Sequence, residues 1–529
     1  MKKRIALLTA IVMALAMVLS ACGNQSSGND TLVVNIGPDP DTIDPALNSA
    51  VDGGTLILHC FEGLYSIGKD GTPVPAQAES VDISDDGTVY TFHLRDGLKW
   101  SDGKPLTAND FVYAWNRAIS TDTAADYAYM FEVIDGYDEG KLNVTAPDDK
   151  TLVVKLKNMV PYFLELTAFP TYYPVRQDII EKYGEAWATK PESYIGNGAY
   201  KIIDWVPGSH ITMEKNQYYW NYKNLGMSKI KFVLMSDENA QLTAFQNGEI
   251  LFTDGIPTDA IDAWRDKPEF HLQGQLGTYY VSFNTKRPYL DNPKVRWALI
   301  LAIDREYICR EIGKSGQVPA GAFVPIGLTD ADPSKQFRDV GGDYYDPYDY
   351  EGNVEKAKQL LAEAGYPNGE GLPTFEYIYN SESVGHQQIG EALQDMWAKI
   401  GVKISLVSQE WRTFLNTRKN GDYDIARNGW LADYNDPISF LDMWITNSGN
   451  NDAQWSNPEY DALISQIKTE TDTAKRFELM HKAEDIIFED GMLCPIYYYV
   501  DIYLASTKLQ NYWSSPLGFK YFMYATVAE

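Results

Sequence analysis

Apolar and polar positions alternate along this chain in two rhythms. The first has a period of two. Leu32-Val33-Val34-Asn35-Ile36 predicts a short strand. Val81–Ser84 and Val89–Arg95, separated by Asp85-Asp86-Gly87, predict a β-hairpin, because Asp-Gly readily supplies the positive φ of a tight turn. Thr151–Lys157 repeats the alternation. The second rhythm is helical. Thr107-Ala108-Asn109-Asp110 reads as a capping box with Asp in place of Glu, and Phe111, Trp115 and Ala118 follow on one face. Asn353–Ala364 predicts a helix capped by Asn353 and ended by Gly365. His386–Ile400 carries Ile389, Leu393, Trp397 and Ile400 in one stripe and stops at Gly401. Asn457-Pro458 opens another helix with proline in its first position. Strands and helices intermix, so the class is α/β. The sequence shows no repeat of fixed period and no long Pro/Ser tract. Both facts predict domains joined by several short crossings.

The first residues break the pattern. Met1-Lys2-Lys3-Arg4 is basic, Ile5–Leu19 is apolar, and Leu19-Ser20-Ala21-Cys22-Gly23 follows. This resembles the bacterial lipobox, in which the cysteine becomes the lipidated first residue of the mature chain. Residues 1–21 are then a lipoprotein signal peptide and 22–30 a polar, flexible tether. The remaining sequence has no apolar run of about 18 residues, the length that spans a bilayer. With lipid on Cys22, Cys60, Cys309 and Cys494 remain, an odd and widely spaced set that predicts buried thiols rather than a disulfide framework.

Composition narrows the partners. The 529 residues suggest about three domains. The net charge of −28 excludes the basic footprint that nucleic acid requires. Aromatic residues reach 13%, enough to line recognition surfaces as well as a core.

Motifs for catalysis and for tight cofactor binding fail in detail. There is no Gly-x-Ser-x-Gly elbow and no Cys-x-x-Cys. Gly313-Lys314-Ser315 resembles the end of a phosphate loop, but Ile308 stands where its first glycine belongs. Gly196-Asn197-Gly198 is followed by Lys201 at the third glycine position. Asp82–Gly87 mimics a calcium loop, but His93 occupies the place of the bidentate Glu. The six histidines have no short-range metal spacing. The expectation is a protein without cofactor, metal or catalytic residues.

Several segments, in order along almost the whole mature chain, resemble the oligopeptide-binding protein family, the substrate-binding lipoproteins of peptide ABC importers. They include Asp39–Pro45, Phe61–Tyr65, the long run Pro75–Trp115, Gly196–Tyr200, Lys294–Arg305, Leu360–Tyr366 and, most tellingly, Asp424–Pro437. The resemblance implies a two-lobed periplasmic-binding-protein-like clamp, type II, in its large three-domain variant. Lobe 1 would comprise 31–75, 196–276 and 501–529, with an accessory domain at 76–195, and lobe 2 would comprise 277–500. Peptide would lie between the lobes.

The resemblance also implies roles for particular residues. Asp433 matches the family's partner for the peptide amine, and Arg427 matches a partner for its carboxylate. His386 corresponds, with a one-residue insertion before it, to a histidine used for longer peptides. Lys314 lies one position from a lysine used for shorter ones. Trp430 and Trp411 match aromatics of side-chain pockets. Asn428 and Gly429 belong to the same contacting segment. Glu62, Tyr127 and Tyr280 are further pocket candidates. Some enteric members carry a disulfide near the ligand, whose matching positions here are Gly277 and Leu431.

A generalist peptide binder reads what all peptides share, namely a backbone, an amine and a carboxylate. The expected partners are therefore oligopeptide, the permease subunits of an ABC importer and, through the lipid, the outer face of the cell membrane. A monomer is expected. The alternatives are the same fold with a dedicated ligand (dipeptide, pheromone peptide, nickel chelate or oligosaccharide), a signalling role, and a surface hydrolase.

Overall fold

A computed structural model describes residues 30–528. The signal peptide at 1–21, Cys22 and nearly all of the tether at 22–30 lie outside these residues. The chain begins with β1 (Thr31–Asn35) and α1 (Val51–Cys60). The predicted hairpin follows as β2 (Ala78–Ile83) and β3 (Val89–Leu94), then α2 (Ala108–Ala118), β4 (Val144–Asp148) and β5 (Thr151–Lys155). Next come β6 (Tyr200–Val206), β7 (His210–Lys215), β8 (Lys229–Val233), α3 (Glu238–Gln246), β9 (Phe252–Thr253) and the long β10 (Phe270–Phe283). After it come α4 (Tyr350–Glu363), β11 (Thr374–Asn380), α5 (Val384–Ala398), β12 (Lys403–Gln409), α6 (Trp411–Lys419) and β13 (Ile425–Leu431). Helices α7 (Pro458–Thr469) and α8 (Thr473–Asp490) precede the second long strand, β14 (Leu493–Ala505).

Two sheets organise these elements. The small one has the order β2-β3-β5-β4, with α2 packed on β4 and β5. The large one runs β12-β11-β13-β10-β14-β9-β1-β8-β7-β6. Its centre is the antiparallel pair β10–β14, which belongs to both halves of the sheet. Phe270–Gly274 pairs with Leu504–Val500, and Thr278–Ser282 pairs with Tyr498–Leu493. Between these stretches the register slips. β13 pairs only with the Gly277–Phe283 part of β10, and β9 only with the Leu504–Ala505 end of β14. Each side of the slip thus carries its own lobe, the arrangement of a two-lobed clamp.

Most predicted elements are present. The capping box at Thr107 forms with both reciprocal hydrogen bonds, and Phe111, Trp115 and Ala118 of α2 are buried. Asn457 caps α7 through its side chain. Two helix starts differ from the reading above. α4 begins one turn earlier, because the Asp349 side chain accepts from the Gly352 amide while Asn353 turns inward to the Asp346 carbonyl at 2.8 Å. α5 begins at Val384, so His386 lies inside it. Cys60, Cys309 and Cys494 are buried and unbridged, as expected, and burial raises each thiol pKa, that of Cys494 to about 11.

A buried carboxylate fixes the loop entering lobe 2. Glu484 of α8 accepts from the Phe323 and Val324 amides at 3.0 and 2.8 Å, and from both Nη atoms of Arg338 at 2.9 and 2.8 Å. Removing it strands a buried guanidinium and two amides. Glu484→Ala should lower unfolding free energy by about 3–5 kcal/mol in urea titration, the usual cost of breaking a buried pair. A loss near the ~1 kcal/mol of a surface pair would contradict this account.

Candidate functional site

The edge of lobe 2 that faces lobe 1 is built by β13 and the chain just beyond it. Strand alternation sends Arg427, Gly429 and Leu431 to one face and Asn428 to the other. Opposite Gly429 in register lies Tyr279, and opposite Asn428 lies Tyr280. Gly429 is required by close approach, since a Cβ there would stand 2.2 Å from the Tyr499 hydroxyl. Arg427, Gly429, Trp430, Asp433, Trp411 and Tyr127 together wall a cavity of about 410 Å³. An adjoining cavity of about 300 Å³ contains His386 and shares Glu238, Leu431 and Tyr499 with the first.

Asp433 is buried. Its Oδ1 accepts from the Tyr127 hydroxyl at 3.0 Å, its amide donates to Ser439 Oγ at 2.9 Å, and its Oδ2 has no partner. Burial holds its pKa well above the ordinary carboxylate value, against the lowering effect of Tyr127. Arg427 is half-buried. Its Nη2 lies 3.3 Å from the Tyr499 hydroxyl, its guanidinium stands 5.1 Å from the Tyr279 ring centroid, and Nε is unpartnered. No carboxylate pairs with it among the described residues. Burial first, and the Arg427 charge second, hold His386 neutral. Its Nδ1 lies 3.3 Å from the Tyr279 hydroxyl. The indole of Trp430 donates to the Ser439 carbonyl at 2.8 Å, so this ring is fixed before any ligand arrives.

Four candidates are not brought to these walls. Asn428 faces away and binds Arg418 at 2.6 Å and Asp452 at 3.1 Å. Tyr280 shares that face and packs edge-on against Phe323 and Trp444. The neighbouring Tyr279 is on the opposite face, fully buried behind Arg427 and His386. Glu62 lies in a separate cavity of about 580 Å³, where Tyr219, Trp220 and Gln77 occupy both its oxygens. Lys314 sits in a left-handed turn, with Nζ 3.9 Å from Asp262. Conversely, Arg418, Tyr499, Asp52 and Glu238 line the cavity and were not singled out. Arg418 did leave a signal. It follows Trp411, Phe414 and Leu415 at helical spacing, on the face of α6 that turns inward. Gly277 and Leu431 are direct cross-strand partners, and Leu431 Cδ2 fills the space a Gly277 side chain would need, at 2.3 Å.

Contacts between segments that approach from both sides bridge the cleft. Arg412 Nε meets Asp41 at 2.9 Å, Thr258 donates to Gln388 at 2.9 Å, and Glu165 accepts from the Asn435 amide at 2.8 Å. Lys468 meets Glu132 at 2.7 Å. A sheet shared by two lobes, with a mainly apolar cleft that carries a few charged groups between them, defines a ligand-binding clamp.

The chain belongs to the bacterial extracellular solute-binding proteins of family 5, whose profile matches residues 72–452. It is 37% identical to the oligopeptide-binding protein OppA of Bacillus subtilis, over 99% of both chains. A crystal structure of Haemophilus influenzae OppA in complex with RPPGFSPFR is 31% identical and superposes with a TM-score of 0.88, covering 94% of this chain and 99% of that one. The unliganded open form of the murein tripeptide-binding protein MppA, also 31% identical, covers 94% of this chain and 97% of its own. It superposes with a TM-score of only 0.62. The lobes here are set as in the peptide complex.

Asp433→Asn should stabilise the ligand-free protein at pH 8, because folding then no longer withdraws a carboxylate from water. The folded pKa is raised, so the wild type loses stability as pH rises through that value. The advantage of the variant should therefore shrink as pH falls and Asp433 takes up its proton. Thermal unfolding of both proteins between pH 8 and 5 checks this, and a pH-independent difference would contradict it.

Proposed function

We propose that this protein captures oligopeptides outside the cytoplasm and delivers them to the permease of an ABC importer. One observation carries the reading. Asp433, buried, and Arg427, half-buried, present a negative and a positive group, neither with an ionic partner, to one cavity. A zwitterionic chain satisfies both. The amine would pair with Asp433, oriented by Tyr127, and the carboxylate with Arg427. His386 would serve as a neutral hydrogen-bonding group in the adjoining space. Charge-assisted hydrogen bonds of this kind contribute about 1.5–3 kcal/mol each. Trp430, Trp411 and Tyr499 would bound side-chain space, where water fills what a given peptide leaves.

The slip in β10 and β14 would act as the hinge, with lobe boundaries near 277 and 500 and the accessory domain at 76–195. No reaction is assigned, and the protein acts by binding alone. Lipidation at Cys22, with more than one acyl chain, would hold a monomer on the outer face of the membrane, since a single chain binds only weakly.

The protein purified without denaturation should release mixed short peptides in native mass spectrometry. One defined mass would mark a dedicated ligand instead. Asp433→Ala should weaken peptide binding by at least 100-fold in calorimetry, as expected for about 3–5 kcal/mol lost on stranding one partner of a buried pair. Unchanged affinity would refute the proposed polarity. Cys22→Ser should move the protein from the membrane fraction to the medium or soluble fraction.

A further inference from the structure

The cleft holds more negative charge than a zwitterion can neutralise. Among the charged groups on its wall, Asp254 meets Lys520 at 3.1 Å, a lysine it shares with Asp501 at 2.9 Å, and Arg418 meets Asp452 at 3.2 Å. Glu382 has both oxygens taken, by the Trp411 amide at 2.9 Å and the Asn380 side-chain amide at 3.1 Å. That leaves Asp433, Asp52 and Glu238 against Arg427. If the two ends of a peptide use Asp433 and Arg427, two carboxylates remain.

Asp52 is the more exacting of the two. It lies in the first turn of α1, and both its oxygens are shielded from water. The Gly53 amide and Trp411 Nε1 lie near enough to favour its charge, but neither completes a hydrogen bond of good geometry. Burial raises its pKa to about 6, so the group is still mainly ionised at neutral pH. An ionised carboxylate in such a place is costly unless a cation meets it. Glu238 of α3 is more nearly satisfied. It reaches Ser383 and the Val384 amide at the start of α5, with Oε2 free, and burial raises its pKa to about 7.

We propose that Asp52, with Glu238 as an outlying second charge, forms a subsite for the cationic side chain of a lysine or arginine in the bound peptide. The preference comes from charge accounting within the cleft, and Trp411 supplies an aromatic surface beside the carboxylate for the aliphatic stem or for a guanidinium plane. Acidic side chains would be refused, because they would add a third unpaired negative charge.

This rests on the peptide-binding reading, and the test separates the two. Calorimetry at pH 7.5 would compare alanine tripeptides and tetrapeptides carrying one lysine, norleucine or glutamate at each position. In the wild type, lysine should exceed norleucine by at least tenfold at one position, and glutamate should bind weakest there. In Asp52→Asn the lysine-to-norleucine ratio should fall to within about threefold of one. Asp52→Ser serves as the second variant if the first is poorly folded by circular dichroism. A wild-type ratio near one, a ratio unchanged in Asp52→Asn, or a ratio lost only in Glu238→Gln would each overturn the assignment. Binding of all peptides with equal affinity would leave the peptide reading standing and remove the subsite. Binding of none would remove both.

Discussion

The pairing of β10 with β14 is the constraint on which the remaining architecture depends. These two strands are the one part of the large sheet common to both lobes. The slip between Gly274 and Thr278 ends one run of regular pairing and starts another. On the lobe 2 side, β10 fixes the register of β13. That register puts Arg427 and Gly429 on the cleft face and leaves Asp433 just past the strand end. β14 brings Tyr499 onto Gly429 from the other flank. A shift of one residue would send Arg427 into the core and Asn428 into the cleft.

The site is electrostatically uncomfortable when it holds only itself. Asp433, Arg427, Asp52 and Glu238 are all withdrawn from water without full compensation. A folded chain tolerates such groups where a ligand later supplies the partner, and perturbed carboxylates collected in one cleft mark a functional region for that reason. The contrast with Glu484 and Arg338 is instructive. That pair is more deeply buried, yet every oxygen is taken, so it fixes structure. Glu62 belongs with Glu484 in this respect, since both its oxygens are taken.

The fold was largely legible in the sequence because local signals and tertiary demands agreed. The Asp-Gly hairpin, the Thr107 capping box and the Asn457-Pro458 start all appear where their turn and cap chemistry places them. α4 was misplaced by one turn because Asp349 and Asn353 are both competent caps, and only the surroundings turn Asn353 inward to Asp346. The core of the site was legible through the segment Asp424–Pro437. Tyr280 was preferred to Tyr279 although two adjacent tyrosines on a strand look alike. Their facing is decided by pairing with β13, information absent from the residues themselves. Arg418 was missed despite its helical spacing. Asp52 and Glu238 carried no local mark at all, since their meaning depends on which partners fail to arrive.

The three thiols of the described residues have a consequence for how this protein is made. Each is buried, unbridged and held in its protonated form by its surroundings. Maturation of this scaffold needs no oxidant, isomerase or reshuffling step. Among the described residues, no step of folding waits on the oxidation of a thiol.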